Sequence, residues 1–162
     1  MLPCPITRIA PLLPHSGNMV LLDRILSYDE TGLCAAVCLR NGHPLQQADG
    51  TIPAWMGMEL LAQCIGALEG CFAQEHGQAI RLGFLLGTRR LNLLTQNLPL
   101  NRPLIADVHL SIRDQNGFAV FDCRLYESEY PLPPQQEPPN LLIQAALNVF
   151  SPPNLDTYLQ SA

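Results

Sequence analysis

Pro53-Ala54-Trp55-Met56-Gly57-Met58-Glu59-Leu60-Leu61-Ala62-Gln63-Cys64-Ile65-Gly66-Ala67-Leu68-Glu69-Gly70-Cys71-Phe72 is the longest helical pattern in this chain of 162 residues. A proline in the first turn gives up an N–H that has no partner inside the helix, so Pro53 marks a start rather than an interruption. The segment is apolar nearly all the way round, as expected of a helix enclosed by protein rather than one lying on a surface. Glu59, Gln63, Gly66 and Gly70 recur at steps of four, three and four and line one stripe.

Strand patterns flank this helix. Met19 to Tyr28 and Leu33 to Arg40 surround the turn signal Asp29-Glu30-Thr31-Gly32 and read as a hairpin; residues 41–51 form a polar loop. Further strands are expected over Ile80 to Leu94, Leu104 to Arg113, Phe118 to Glu127 and Leu141 to Phe150, with Asp114-Gln115-Asn116-Gly117 as a hairpin turn. Pro131 to Pro139 cannot be a central strand, and Pro152-Pro153 stops the last one. The pattern predicts one α+β domain over residues 1–162, an antiparallel sheet wrapped around a central helix.

Composition narrows the function. Nine Arg, no Lys and fourteen acidic residues leave a net charge of −5, which disfavours general nucleic-acid binding. Charged residues make up only 14% of the chain against about 25% in an average domain, as if a partner covered part of the surface. No run approaches the ~20 apolar residues of a membrane span, and Met1-Leu2-Pro3-Cys4-Pro5 does not read as an export signal, so the expectation is a cytoplasmic protein with reduced thiols. The six cysteines read as core thiols, with no metal-site spacing.

Glu59 carries the most chemical information, because a carboxylate in an apolar helix must be either paired or used. The helix start at Ala54 and Trp55 is expected to offer unpaired N–H groups and a positive dipole end, suited to polarising a carbonyl. Glu69 is expected to face solvent. Asp49 and His15 read as turn residues and His76 as a partner of the helix C-terminus. His109, mid-strand, has no legible partner.

Three segments in order carry a family resemblance. Leu13-Pro14-His15-Ser16-Gly17-Asn18-Met19-Val20-Leu21-Leu22-Asp23-Arg24-Ile25 resembles the opening signature of the 3-hydroxyacyl-acyl-carrier-protein dehydratases. Ile52-Pro53-Ala54-Trp55 through Glu59-Leu60-Leu61-Ala62-Gln63 is similar to their central helix. Leu82-Gly83-Phe84-Leu85-Leu86-Gly87-Thr88-Arg89-Arg90 is similar to the strand that follows it. The helix start and the last segment look most like the accessory dehydratase subunits of aryl-polyene pathways, which pair with a second, complete dehydratase. The resemblance implies a hotdog fold, a homodimer or such a heterodimer, acyl tunnels along the interface, and a substrate carried on the phosphopantetheine of acyl carrier protein with no other cofactor. It implies Glu59 as the acid, Ala54, Trp55 and Gln63 as substrate-binding residues, and Arg89 and Arg90, with Arg102 a weaker candidate, as a docking surface for the carrier.

The sequence departs from that family at one position. The family's basic histidine, in a His-Phe-Pro loop, precedes the helix glutamate by fourteen residues; here that position is Leu45, and the nearest histidine is His43, followed by Pro44. The expectation is a dehydratase subunit that contributes Glu59 across an interface, with His43 as the tentative replacement base. The alternatives are a thioesterase on the same fold and a non-catalytic stabilising subunit.

Overall fold

A computed structural model describes residues 1–152. The chain runs β1 (Arg24–Tyr28), β2 (Gly32–Cys38), α1 (Gly57–Glu75), β3 (Phe84–Leu93), β4 (Pro103–Arg113), β5 (Phe118–Glu127) and β6 (Leu141–Phe150). The strands form one antiparallel sheet in the order β1-β2-β4-β5-β6-β3. This is the expected architecture. Strands β5 and β6 span the expected residues, whereas β1 starts at Arg24 rather than Met19, because Gly17–Met19 is a 3-10 turn and the Leu21 N–H is taken by a helix side chain. Strand β3 begins at Phe84 rather than Ile80, since Phe84 already pairs with Phe150 at the end of β6. Pro153 lies outside the described residues.

The helix opens through a 3-10 turn at Ala54–Met56. That entry is clamped to the chain after β3, where Ala54 N–H donates to the Gln96 carbonyl at 2.9 Å and Leu98 N–H to the Ile52 carbonyl at 2.8 Å. At the far end α1 passes Phe72 and stops at Glu75; the His76 ring Nδ1 lies 2.7 Å from the Phe72 carbonyl, where the sequence placed it. Leu60, Leu61, Cys64, Leu68 and Cys71 are buried against the inner face of β2, β4, β5 and β6. That inner face includes alanines (Ala35, Ala106, Ala145), so the helix can sit close to the sheet.

On the outer face Cys34, Ile105 and Tyr126 form a second cluster with Leu132 and Leu141. Arg124 pairs with Asp107 and donates to the carbonyls of Pro134 and Gln136, which fastens the proline-rich connection over this face. The free edge of β1 is paired through Ile6 and Ile25, which exchange N–H···O bonds of 2.9 Å in both directions. At the opposite edge, among the described residues, β3 pairs only with β6 and exposes Phe84, Leu85, Leu86 and Leu93.

The segment before β1 lies directly on the helix. A Cβ at Gly70 would stand 2.0 Å from the Leu12 carbonyl oxygen, so backbone meets backbone there without room for a methyl group. Gly70→Ala should therefore destabilise the fold by about 1–3 kcal/mol through overpacking, despite alanine's better helix propensity. Thermal unfolding would check this, and an unchanged or raised midpoint would show that the segment moves aside at no cost.

Candidate active site

Two 3-10 turns, Ala10–Leu12 and Gly17–Met19, fold residues 10–22 back over the stripe of α1 that the sequence singled out. Gln63, 1% exposed, is the only buried polar residue among those described and holds this segment down. Its Oε1 accepts the Leu21 N–H at 2.9 Å; its Nε2 donates to the Met19 carbonyl at 2.8 Å and to Glu59 Oε1 at 2.9 Å. Because the backbone N–H of Leu21 requires an acceptor, the amide cannot flip, and it must present a donor to Glu59.

Glu59 stands in the first turn of α1 and in the wall of a cavity of about 390 Å³. The same wall contains Pro14 and His15. His15 Nε2 lies 3.3 Å from Glu59 Oε1, with both side chains 35% exposed. His15 Nδ1 is buried and has no hydrogen-bond partner. The histidine read as a turn residue is thus an imidazole set against the helix carboxylate. The cavity continues along α1 past Ala62, Ile65 and Gly66 to Glu69, which is paired with Arg113. Glu69 therefore does not simply face solvent, as residue type suggested. Phe84, Ala119, Phe121 and Val149 give the groove an apolar side, and Arg81 also stands in its wall.

The other expected site residues lie elsewhere. The Ala54 N–H is committed to the Gln96 carbonyl, so it is not the unpaired helix-start donor anticipated from position. The Trp55 side chain is 52% exposed, and neither it, Ala54 nor Gln63 lines the cavity. His43 is half-buried in the loop before the helix. Its Nδ1 accepts the Leu45 N–H at 3.2 Å, burial holds its imidazole below the usual range, and it is absent from the cavity wall. Arg89 and Arg90 are exposed on β3, with Arg90 3.6 Å from Asp122, and Arg102 is paired with Glu127. Asp49 closes a turn by accepting the Thr51 N–H at 2.9 Å. His109 Nδ1 lies 3.4 Å from the Thr31 carbonyl.

Cys34, Cys64, Cys71 and Cys123 are buried, and burial raises the Cys34 and Cys71 thiols to about 12; Cys4 is exposed and Cys38 half-buried, so the core reading holds for four of six. Among the described residues no group of three His, Cys, Asp or Glu could hold a metal, and no helix is long and apolar enough to cross a membrane.

What the sequence reading missed is the meeting of His15 with Glu59 and of Arg113 with Glu69. One signal was available: Glu59, Ala62, Gly66 and Glu69 step by three, four and three, which puts both acids along one side of the helix.

An antiparallel sheet curled around one long helix, with an acid-bearing groove beside that helix, defines a hotdog-fold protein. The chain belongs to the ApeP-like family, described as ApeP dehydratase, whose model matches residues 7–160, and is of dehydratase type. In structure it resembles a chain of the dehydratase heterocomplex ApeI:P from Xenorhabdus doucetiae, at 24% identity and TM-score 0.80 over 99% of this chain and 98% of that one. It also resembles a hypothetical thioesterase with coenzyme A from Streptococcus pneumoniae, at 13% identity and TM-score 0.56 over 78% and 83%. A protein from Streptococcus mutans bound to acetyl-CoA matches at 12% identity and TM-score 0.53 over 78% and 86%. No curated protein sequence matches the chain.

Gln63→Leu keeps the volume but leaves the Leu21 N–H and the Met19 carbonyl unpaired. The expected loss is about 1–3 kcal/mol, and for a chain of this size each kcal/mol lowers the unfolding midpoint by roughly 2–4 °C. A calorimetric midpoint equal to that of the unaltered chain would show that other contacts hold the segment.

Proposed function

We propose that this chain is the dehydratase subunit for a carrier-linked 3-hydroxyacyl thioester, with Glu59 as the acid that protonates the departing hydroxyl. The observation that carries the reading is the placement of Glu59: in a cavity wall, with the contacts from Gln63 and His15 both falling on Oε1. Elimination of water beside a thioester carbonyl needs such an acid and a base for the proton on the carbon next to the carbonyl. The apolar side formed by Phe84, Phe121 and Val149 suits an acyl chain.

A partner subunit belongs to this reading. Among the described residues, β3 is a sheet edge whose outer side has no strand neighbour and which carries a row of exposed apolar side chains, a form that natural sheets cover or pair. The similar Xenorhabdus chain is part of a dehydratase heterocomplex, and a second hotdog chain seated along β3 would cover this edge. Arg89 and Arg90 project from the same strand and suit an acidic carrier protein or the phosphopantetheine phosphate.

Two measurements test the reading. The chain is mixed with a complete hotdog dehydratase whose own helix carboxylate has been replaced, and 2-enoyl product is followed from a 3-hydroxyoctanoyl carrier protein. Activity should appear with the unaltered chain and fall by about 10²–10⁴-fold with Glu59→Gln. Full activity with that variant would make the chain a stabilising subunit, and release of free thiol without enoyl product would make it a thioesterase. Separately, Arg89→Glu with Arg90→Glu should raise KM for the carrier-linked substrate several-fold while leaving that for a short free thioester unchanged. Equal effects on the two would remove the docking role.

A further inference from the structure

We propose that His15, from the turn before β1, is the catalytic base that works with Glu59, so that one chain holds both proton-transfer groups. The inference rests on the dehydratase reading above and assigns the base that the pre-helix loop lacks. Its ground is geometric. His15 and Glu59 share one cavity wall, and the imidazole Nε2 stands 3.3 Å from the carboxylate Oε1. A histidine kept for its turn would bond to neighbouring backbone groups. Here Nδ1 is buried with no hydrogen-bond partner, and among the described residues the polar contact of this ring is Glu59. Leaving a buried ring nitrogen unsatisfied disfavours the fold and is characteristic of groups retained for chemistry. His43, the loop candidate, instead accepts the Leu45 N–H and does not line the cavity.

The pair can carry the whole proton cycle. His15 Nε2 takes a proton from C2 of the 3-hydroxyacyl thioester. The C–H electron pair becomes the C2–C3 π bond as the C3–O bond breaks. The departing oxygen takes the proton of Glu59 and leaves as water. One C–H and one C–O bond are lost, and one π bond and one O–H bond of water are formed, with no oxidant or reductant. The imidazolium then returns its proton to the carboxylate across their contact, which restores the starting state. Because the two groups adjoin in one wall, they approach the acyl chain from one side. The C2 proton and the C3 oxygen therefore leave from the same face.

The full-length chain is tested alone and mixed with the carboxylate-replaced partner, using 3-hydroxyoctanoyl carrier protein for turnover. Octanoyl thioester in D₂O, which has no hydroxyl to lose, reports deuterium entry at C2 and so isolates the base. The unaltered chain should turn over substrate by itself, and both His15→Asn and His15→Gln should lower kcat by about 10²–10⁴-fold. Each His15 variant should also abolish deuterium entry, Glu59→Gln should retain it, and His43→Ala should leave both readouts unchanged. Circular dichroism of each variant separates loss of chemistry from loss of fold; two variants bear on the same site, and a His15 variant that stays folded and active within threefold overturns the assignment. Loss of deuterium entry in Glu59→Gln as well would reduce His15 to a positioning residue. A mixture that is active and sensitive to Glu59→Gln, with an isolated chain that is inactive, would keep the dehydratase reading and end the claim that one chain suffices. An inactive mixture would remove that reading and this inference with it.

Discussion

The amide of Gln63 is the interaction on which the rest of the site depends. Its oxygen takes a backbone N–H that would otherwise be buried without a partner, and its nitrogen divides between a backbone carbonyl and the Glu59 carboxylate. A leucine in its place would fill the same space and perform none of these tasks. Since the backbone dictates the orientation of the amide, the carboxylate meets a donor there. The chain segment that brings Pro14 and His15 to the cavity is held by the same three bonds. Positioning of the acid and delivery of its neighbouring imidazole are thus one structural event.

Much of this was legible from spacing and much was not. The helix, the hairpin turns and the full extent of β5 and β6 follow from apolar period and turn chemistry, which act over a few residues. The stripe of Glu59, Gln63, Gly66 and Gly70 was visible as a stripe, but its occupant was not. That occupant is a non-strand segment whose apolar residues imitated a strand from Met19 onward, because Leu21 and Leu22 are buried without joining the sheet. His15 meets Glu59 only because Leu12 lies against Gly70 and Met19 and Leu21 are tied to Gln63, contacts between parts of the chain far apart in sequence. The Glu69–Arg113 pair and the capture of the Ala54 amide by Gln96 are of the same kind. Local rules place groups on a face; they do not say what arrives opposite.

The groove also shows how small residues serve two purposes. Gly70 admits a backbone and Gly66 lies beneath Leu13, so the overlying segment descends close enough for its turn to reach the acid. Toward the cavity Ala62 and Gly66 leave open volume where larger side chains would have closed it. The result is a channel wall with an acid–imidazole pair near the helix start and an acid–guanidinium pair ten residues along. Both pairs are composed of one residue from the helix and one from elsewhere, so either is lost if the helix shifts along its axis.

The two margins of the sheet are unequal. One is sealed by the reciprocal bonds of Ile6 and Ile25, and the broad outer surface is roofed by the proline-rich connection that Arg124 fastens down. Among the described residues, the margin formed by β3 has no chain segment along its outer side. Addition of a strand from another chain would therefore be confined to one side of the sheet, a one-sidedness set by the way the first few residues fold back.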